Sequence, residues 1–242
     1  MRYLVISDIH SNYEALEMVL DDAGSVDEIW CLGDVVGYGP DPNSCVELLT
    51  SYPHRCIAGN HDWATVGKLD LDDFNHDARL ANLWNRDHLT PQSRAFLNSL
   101  PEMLVVGEFT LAHGSPRYPI WEYVMDGATA LDNFAYFDSP FCLVGHTHVP
   151  VVFSLDNANK RVDNSIPSPG ASVDLDSDRL IINPGSVGQP RNGDPWASYI
   201  VLDTEANTVE YRRVAYPLEV TQQKMIGLGL PSRLVTRLQY GW

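Results

Sequence analysis

Apolar and polar positions alternate in blocks along the first 60 residues. Three short runs rich in apolar residues, 2–7, 27–32 and 54–58, are typical of buried strands. Residues 11–14 form a capping box followed by apolar positions at helical spacing, and a Gly-Pro-Asp-Pro turn at residues 39–42 opens a second helix. The pattern predicts strand, helix, strand, helix, strand, and crossovers of this length favour parallel strands in a layered α/β domain.

The pattern changes twice in the rest of the chain. Residues 64–100 are polar and helix-forming, and they predict an insertion of two or three helices. Short strands dominate afterwards, while residues 160–178, rich in Pro, Ser, Asp and Gly, predict a long loop. Near the C-terminus, apolar residues at helical spacing predict a helix packed on the core. No repeat or linker divides the sequence, so we expect one domain over residues 1–242.

Composition and charge narrow the function classes. The 242 residues are 44% hydrophobic and 20% charged, near the average for a globular chain, and the formal net charge is −16. An acidic surplus argues against non-specific binding to nucleic-acid polymers or anionic membranes. No apolar run approaches the roughly 20 residues of a membrane helix. If the substrate is an anion, a local positive field must attract it.

Cysteine usage and the N-terminus indicate the compartment. No two of the four cysteines form a C-x-x-C pair, and their spacings do not match a zinc site. We therefore expect buried free thiols in a reducing environment. Met1 leads into an apolar strand with no basic n-region or apolar h-region, so we expect no secretory signal. These features predict a cytoplasmic protein.

Five polar clusters directly follow predicted strands, most of them beside glycine. Carboxyl ends of strands in open α/β sheets are where functional sites form, and residues two apart on extended chain point the same way. The clusters are Asp8-Ile9-His10, Gly33-Asp34, Gly59-Asn60-His61-Asp62, His113-Gly114 and Gly145-His146-Thr147-His148.

These clusters supply a mixed set of oxygen and nitrogen donors. Imidazole and carboxylate together suit Mn, Fe, Zn, Co or Ni, whereas Mg or Ca would favour six oxygen ligands. Two aspartates, one asparagine and four histidines are too many for one such ion. They suit two ions that share a carboxylate and lie about 3.5–4 Å apart. Such a pair activates a bridging water and places about four positive charges where an anion would bind.

In their order along the chain, the clusters resemble the D-x-H, G-D, G-N-H, H and G-H-x-H motifs of the calcineurin-like metallophosphoesterase superfamily. The resemblance spans Asp8 to His148, and the later Asn183-Pro184-Gly185-Ser186-Val187-Gly188 resembles the small bacterial and archaeal phosphoesterases of that superfamily. It implies an α/β fold, a four-layer α-β-β-α sandwich of two packed mixed sheets. It also implies two divalent transition-metal ions, with Mn the leading candidate and Fe, Zn, Co or Ni as alternatives.

Carried over by position, the resemblance assigns a role to each motif residue. It implies a first metal ion on Asp8, His10 and His148, a second on Asn60, His113 and His146, and Asp34 as the bridge between them. A metal-bridging hydroxide would attack phosphorus.

The residues around the motifs each have two alternative roles. His61 is implied as a general acid or charge-stabilising donor. The adjacent Asp62 either orients His61 or is a turn residue or helix cap. Arg117 and Arg191 are candidate phosphate contacts, with exposed loop arginines as the alternative.

Together these observations predict an enzyme that hydrolyses a small phosphomonoester or phosphodiester, with nucleotides among the candidate substrates. We expect residues 64–100 and 115–137 to frame the substrate cleft. Their aromatic residues either stack on a base or belong to ordinary packing. These residues are Trp63, Phe74, Trp84, Tyr118, Trp121 and Tyr123.

Three alternatives are weaker. A dinucleoside polyphosphate hydrolase would need several basic residues near the metals, and the motifs offer few. The protein phosphatases of the superfamily carry an arginine shortly after the G-D motif, and none follows Gly33-Asp34 here. A non-catalytic metal-binding scaffold for protein partners would tend to lack ligands, and none is missing. The sequence leaves the native metals and the oligomeric state open.

Overall fold

The computed structural model describes residues 1–156, 158, 160–176 and 179–242. Within these residues the chain forms twelve strands and eight α-helices, with a 3₁₀ turn at Leu71–Asp73. The strands are β1 (Arg2–Ile6), β2 (Glu28–Cys31), β3 (His54–Cys56), β4 (Met103–Val106), β5 (Phe109–Ala112), β6 (Phe141–Leu143), β7 (Val151–Asp156), β8 (Arg161–Ser165), β9 (Ser172–Asp174), β10 (Arg179–Asn183), β11 (Ala197–Asp203) and β12 (Thr208–Val214). The helices are α1 (Tyr13–Ala23), α2 (Pro42–Thr50), α3 (Asn60–Val66), α4 (His76–His88), α5 (Pro91–Ser99), α6 (Gly127–Asn133), α7 (Leu218–Gly227) and α8 (Ser232–Leu238).

The strands form two mixed sheets of six. The first has the order β3-β2-β1-β11-β12-β9, and the second has the order β4-β5-β6-β10-β7-β8. In the first sheet β1, β2 and β3 run parallel, as the sequence predicts, while β11 pairs with β1 in the antiparallel direction. In the second sheet β5, β6 and β10 are the parallel strands. In each sheet, therefore, the carboxyl ends of the parallel strands lie together at one edge.

Side-chain alternation along the strands builds four layers. Leu4 and Ile6 of β1 pack under the outer helices, whereas Val5 points into the space between the sheets. There it shares an apolar layer with side chains of the second sheet such as Leu143 and Ile182. Helices α1, α2 and α5 cover the first sheet and α6 covers the second. The expected four-layer α-β-β-α sandwich is confirmed.

The prediction of one long loop over residues 160–178 is wrong. Strands β8 and β9 lie within it and pair with β7 and β12, respectively. Both are edge strands with mostly exposed, polar side chains, so they carry no apolar alternation that would identify them in the sequence. Backbone pairing to a neighbouring strand specifies them instead. Residues 177 and 178 of the predicted loop lie outside the described residues.

The segment 64–100 forms the end of α3, then α4 and α5. Helix α5 adds Leu97 to the outer apolar layer, while α4 packs through Ala78 and Ala81 against α7 and α8. Leu234 and its apolar neighbours on α8 are buried there, as their helical spacing predicts. The interpretation of residues 1–242 as one domain stays a prediction. No helix among the described residues is both long enough and apolar enough to cross a membrane.

One arginine holds the loop between β5 and α6. Arg117 pairs with Glu122, and its Nη1 lies 3.1 Å from a carboxylate oxygen of Asp132 in α6. Glu122 also accepts hydrogen bonds of 2.7 Å from Ser115 Oγ and from Asn133 Nδ2. Burial alone would raise the pKa of Glu122, but these donors, Arg117 foremost, hold it below its ordinary value of 4.5. The Arg117 side chain therefore fastens the loop to α6.

Replacing this arginine tests its structural role. Because the folded-state pKa of Glu122 is depressed, its stabilisation is complete above the unfolded value of 4.5 and disappears as the pH falls through the folded value. We expect Arg117→Gln to be less stable than wild type at pH 7, with a thermal midpoint lower by a few degrees. The deficit should shrink at pH 3.5.

Thermal unfolding followed by circular dichroism at both pH values, with the same metal content, measures this difference. Arg161→Gln is the matched control, because its ion pair with Asp163 lies on the exposed strand β8 with side chains 72% and 63% exposed. A deficit of equal size at both pH values would contradict the assigned role of Glu122.

Candidate metal centre

The seven predicted ligands meet where the parallel strands of both sheets end. Each follows a strand directly or after a short turn, and each is at most 3% exposed. They are Asp8 and His10 after β1, Asp34 after β2, Asn60 after β3, His113 after β5, and His146 and His148 after β6. The structure brings together all the residues that the sequence predicts as metal ligands.

Three of these residues form the first half of the cluster. His148 Nε2 lies 3.2 Å from Asp8 Oδ1, and His10 Nε2 lies 3.7 Å from the same oxygen. The two Nε2 atoms are 3.1 Å apart. One cation could contact all three side chains.

The other half gathers around His113. Its Nε2 atom lies 3.3 Å from Asp34 Oδ2, 3.1 Å from Asn60 Oδ1 and 3.2 Å from His146 Nδ1. Asp34 Oδ2 is also 3.7 Å from His10 Nε2 in the first half. Asp34 is therefore the carboxylate that faces both halves, which is the position of a bridging ligand.

Backbone carbonyls fix the ring orientation of three histidines. The Nδ1 atoms of His10, His113 and His148 lie 3.2, 2.8 and 2.6 Å from the carbonyl oxygens of Val36, Leu32 and Gln189. A carbonyl oxygen only accepts, so each Nδ1 carries the proton and donates. In the neutral form, which metal binding requires, each ring turns the lone pair of its Nε2 inward, as histidine ligands of metals do.

The carboxylates of Asp8 and Asp34 are oriented in the same manner. Asp8 Oδ2 accepts from the backbone N–H of His146 at 3.1 Å, and Asp34 Oδ1 accepts from that of His61 at 2.8 Å. Their other oxygens, Asp8 Oδ1 and Asp34 Oδ2, are buried without a hydrogen-bond partner among the described residues. Buried charges are normally paired or bound to metals. Two unpaired carboxylate oxygens facing inward lone pairs fit divalent cations.

The electrostatics of the cluster already favour positive charge. Burial raises the pKa of Asp8 and of Asp34, but nearby imidazoles, His148 and His113 foremost, hold both pKa values below the ordinary range. Burial lowers the pKa of His113, yet Asp34 outweighs it and raises the pKa to about 10. Burial lowers the pKa of His146 to about 3. The negative charge of Asp34 therefore attracts positive charge to the centre of the cluster.

The turns after the strands adopt unusual backbone conformations. Asp8, Asp34 and His146 have φ values of 55°, 53° and 64°, in the left-handed region that costs non-glycine residues about 1–3 kcal/mol each. The chain also passes very close to itself. A Cβ atom at Gly59 would lie 2.0 Å from Asp34 Oδ1, which explains why glycine precedes Asn60. The fold sustains this strain to direct the ligands inward.

His61 lies beside the cluster and faces the same space. Its ring packs against the Tyr38 ring at 4.3 Å between centroids, and its Nδ1 lies 2.9 Å from Asn82 Oδ1. Burial lowers the pKa of His61 to about 4, although Asp34 opposes the shift. One of its ring nitrogens also falls in a triad of close donor atoms with His10 and Asp34. His61 is therefore placed to contact a ligand at the metals.

The expectation that Asp62 orients His61 is not met. The Asp62 carboxylate instead accepts from the backbone N–H groups of Gly59, at 3.0 Å, and Val36, at 3.1 Å. It caps the start of α3 and ties it to the turn after Asp34, which is the alternative raised by the sequence. Burial and the Asp34 charge raise its pKa to about 7. Asn82 of α4 contacts the His61 ring in its place.

A cavity of about 90 Å³ opens over the cluster. Phe74, Trp121 and Tyr123 are among its lining residues, and Tyr123 stacks on the His146 ring with 4.0 Å between centroids. The other three aromatic candidates lie elsewhere. Trp84 stacks on His88 and Tyr118 lies near Arg117, while Trp63 packs against the outer apolar layer. The cavity therefore takes aromatic residues from both predicted framing segments.

The two candidate arginines have different positions. Arg191 lines the cavity, where Gln189 Oε1 accepts a hydrogen bond of 2.7 Å from its Nη2. Arg117 does not line this cavity, because Glu122 and Asp132 hold its guanidinium in the loop after β5. Only Arg191 is therefore placed as the sequence hypothesis requires.

The polar pair Asn82 and Asn85 on the buried face of α4 was a signal that the sequence analysis missed.

Comparisons with known proteins agree with this site. A family model of the calcineurin-like phosphoesterase superfamily domain matches residues 1–207. The chain is 49% identical to a metallophosphoesterase from Sphaerobacter thermophilus, whose crystal structure it matches with a TM-score of 0.92 over 100% of this chain and 99% of that chain.

Two further proteins resemble the chain, one in sequence and one in fold. The chain is 40% identical over 245 residues to the uncharacterized protein MJ0912 of Methanocaldococcus jannaschii, covering 98% of this chain and 97% of that protein. The crystal structure of the hypothetical protein PH1004 from Pyrococcus horikoshii OT3 has a TM-score of 0.79 at 18% identity, over 100% and 98% of the two chains, and shows the shared fold alone. By its sequence, its fold and the donor cluster between its sheets, the chain belongs to the calcineurin-like phosphoesterase superfamily.

Proposed function

We propose that this protein is a phosphoester hydrolase that uses two divalent metal ions and acts on a small phosphomonoester or phosphodiester. Family membership supports metal-dependent phosphoester hydrolysis as the general class. The observation that carries the two-metal proposal is the position of Asp34. Its unpaired Oδ2 faces His113 in one half of the donor cluster and His10 in the other.

The donor set determines what the bound ions would contribute. Asp8, His10 and His148 would hold one ion, and Asn60, His113 and His146 the other, with Asp34 between them. When bound, such ions supply Lewis acidity and lower the pKa of a water molecule. The mixture of imidazole and oxygen donors suits Mn²⁺, our first candidate, and also Fe, Zn, Co or Ni.

The side chains around the cluster would orient the substrate. Arg191, fixed by Gln189, would donate to phosphoryl oxygens. His61 would donate to the leaving-group oxygen, held in position by Asn82. An adjacent phosphate anion favours the imidazolium form and so counteracts the effect of burial on the His61 pKa.

Size and composition of the cavity support a small substrate. About 90 Å³ over the cluster accommodates a phosphoryl group and a few further atoms. The aromatic side chains of Phe74, Trp121 and Tyr123 offer faces on which a nucleotide base could stack. The four buried free cysteines support a reducing compartment, and we propose the cytoplasm.

Metal removal and restoration tests the proposed function. We expect protein stripped by a chelator to be inactive towards bis(p-nitrophenyl) phosphate and p-nitrophenyl phosphate, and added Mn²⁺ to restore p-nitrophenol release. Asp34→Asn should reduce the restored rate by far more than tenfold, because the bridge loses its charge. The exposed Asp163→Asn is the matched control and should leave the rate unchanged. No release with any divalent metal, or Asp34→Asn activity within tenfold of wild type, would contradict the proposal.

His61 is tested through the leaving group. If His61 donates the proton, His61→Asn should lower kcat by about 10²–10⁴-fold and leave the metal content unchanged. The loss should be larger for phenyl phosphate than for p-nitrophenyl phosphate, because p-nitrophenolate needs less protonation. Equal losses for the two substrates would contradict proton donation. Loss of one ion from the variant would instead identify His61 as a ligand.

A further inference from the structure

A second, larger cavity adjoins the metal centre. Its volume is about 460 Å³, and it shares Tyr38, Asn75, Tyr123 and Arg191 with the smaller cavity over the cluster. Its outer wall comes from α8, which lies far from every metal motif in the sequence. A molecule bound at the metals could extend past the four shared residues into this space.

Positive charge is concentrated on the walls of this cavity. Arg233 and Arg237 lie four residues apart on α8, so they project from the same side of the helix, and Arg191 faces them. Asp77 is the one carboxylate among the described lining residues. Among the residues that the structure describes, neither Arg191 nor Arg233 forms an ion pair, unlike Arg117, Arg212 and Arg213.

Other interactions hold two of these arginines in place. Arg191 donates to Gln189 and lies over the Tyr38 ring at 5.7 Å, and Arg237 Nε donates to a main-chain oxygen of the final residue, Trp242. Burial, together with the charges of Arg191 and Arg233, lowers the pKa of Arg237 to about 10. Arg191 and Arg233 therefore raise the energy of the charged Arg237, and an anion between the three side chains would relieve this repulsion.

The chemistry of the ligand follows from the guanidinium group. Its planar donors match the oxygens of phosphate and often bind two of them at once. The chain carries a net charge of −16, so the cavity is a local exception that would attract an anion. The shared lining residues connect it to the space where the reacting phosphoryl group is proposed to lie.

We propose that the cavity between α8 and Arg191 binds a second phosphate group of the substrate, so that the preferred substrate is a phosphate ester carrying a further phosphate. This inference rests on the proposed phosphoester hydrolysis. It also changes the assessment of polyphosphorylated substrates, since the sequence motifs offer few basic residues but the fold brings Arg233 and Arg237 to the cavity that adjoins the metal centre.

A matched pair of substrates tests the inference. The p-nitrophenyl ester of thymidine 5′-phosphate and the same ester with an added 3′-phosphate differ only in the second phosphate, and both report through p-nitrophenol. With the Mn²⁺-loaded protein we expect the 3′-phosphate to raise kcat/KM by at least about tenfold. Arg233→Gln, Arg237→Gln and the double variant should lose most of that gain while keeping kcat/KM for the ester without the 3′-phosphate within twofold.

Three checks exclude a general effect of charge, a folding defect and an effect on turnover alone. Arg161→Gln removes the same charge from the exposed strand β8 and should retain the full gain. Arg233 is exposed, so its replacement should not disturb folding, and circular dichroism checks this for every variant. Calorimetry with thymidine 3′,5′-bisphosphate and thymidine 5′-monophosphate measures the same preference as a difference in Kd, independently of turnover.

The outcomes separate the two proposals. Hydrolysis of both esters with no gain from the 3′-phosphate, or a gain that survives in the double variant, would overturn the arginine site and leave phosphoester hydrolysis intact. Failure to hydrolyse these two esters and p-nitrophenyl phosphate with any metal would overturn the proposed function itself. If added inorganic phosphate alters the rate through Arg233 and Arg237 while the 3′-phosphate brings no gain, the cavity binds a free anion and the assignment to the substrate is wrong.

Discussion

The structure depends on the burial of two carboxylates and four imidazoles between the ends of two sheets. Asp8 and Asp34 are fully buried, yet each keeps one oxygen without a hydrogen-bond partner among the described residues. His10 and His148 turn lone pairs towards each other at 3.1 Å, because backbone carbonyls hold their other ring nitrogens. Such an arrangement is unfavourable unless positive charge lies within it. Cations at this position would both complete the fold and supply the chemistry.

The sandwich architecture places the donors where one sheet could not. β1, β2 and β3 of the first sheet deliver Asp8, His10, Asp34 and Asn60, whereas β5 and β6 of the second deliver the other three histidines. The apolar layer between the sheets fixes their separation, and so it sets the geometry of the cluster. The strained turns after the strands depend on the same support. Stability in the core and precision at the site are therefore linked.

The sequence was sufficient to identify the residues of the donor cluster, because each follows an apolar strand and their order resembles a family pattern. Sequence patterns did not predict the features of the structure that tertiary contacts determine. Asp62 is adjacent to His61 in the sequence, but the start of α3 directs its carboxylate to the backbone of Gly59 and Val36. The side chain that contacts the His61 ring is Asn82 of α4, which is distant in the sequence. Arg233 and Arg237 carry no motif, and only the packing of α8 on α4 brings them near the site. Strands β8 and β9 were missed because edge pairing, rather than apolar patterning, specifies them.

The central claim is that Asp34 joins two ions in one cluster, and electron paramagnetic resonance of the Mn²⁺-loaded protein tests it most directly, with the metal content measured on the same sample. Two Mn²⁺ ions about 3.5–4 Å apart on a shared carboxylate should be magnetically coupled. The account predicts two ions per chain and the broad, multiline spectrum of a coupled pair. One ion per chain, or the six-line spectrum of isolated Mn²⁺ at full occupancy, would contradict it.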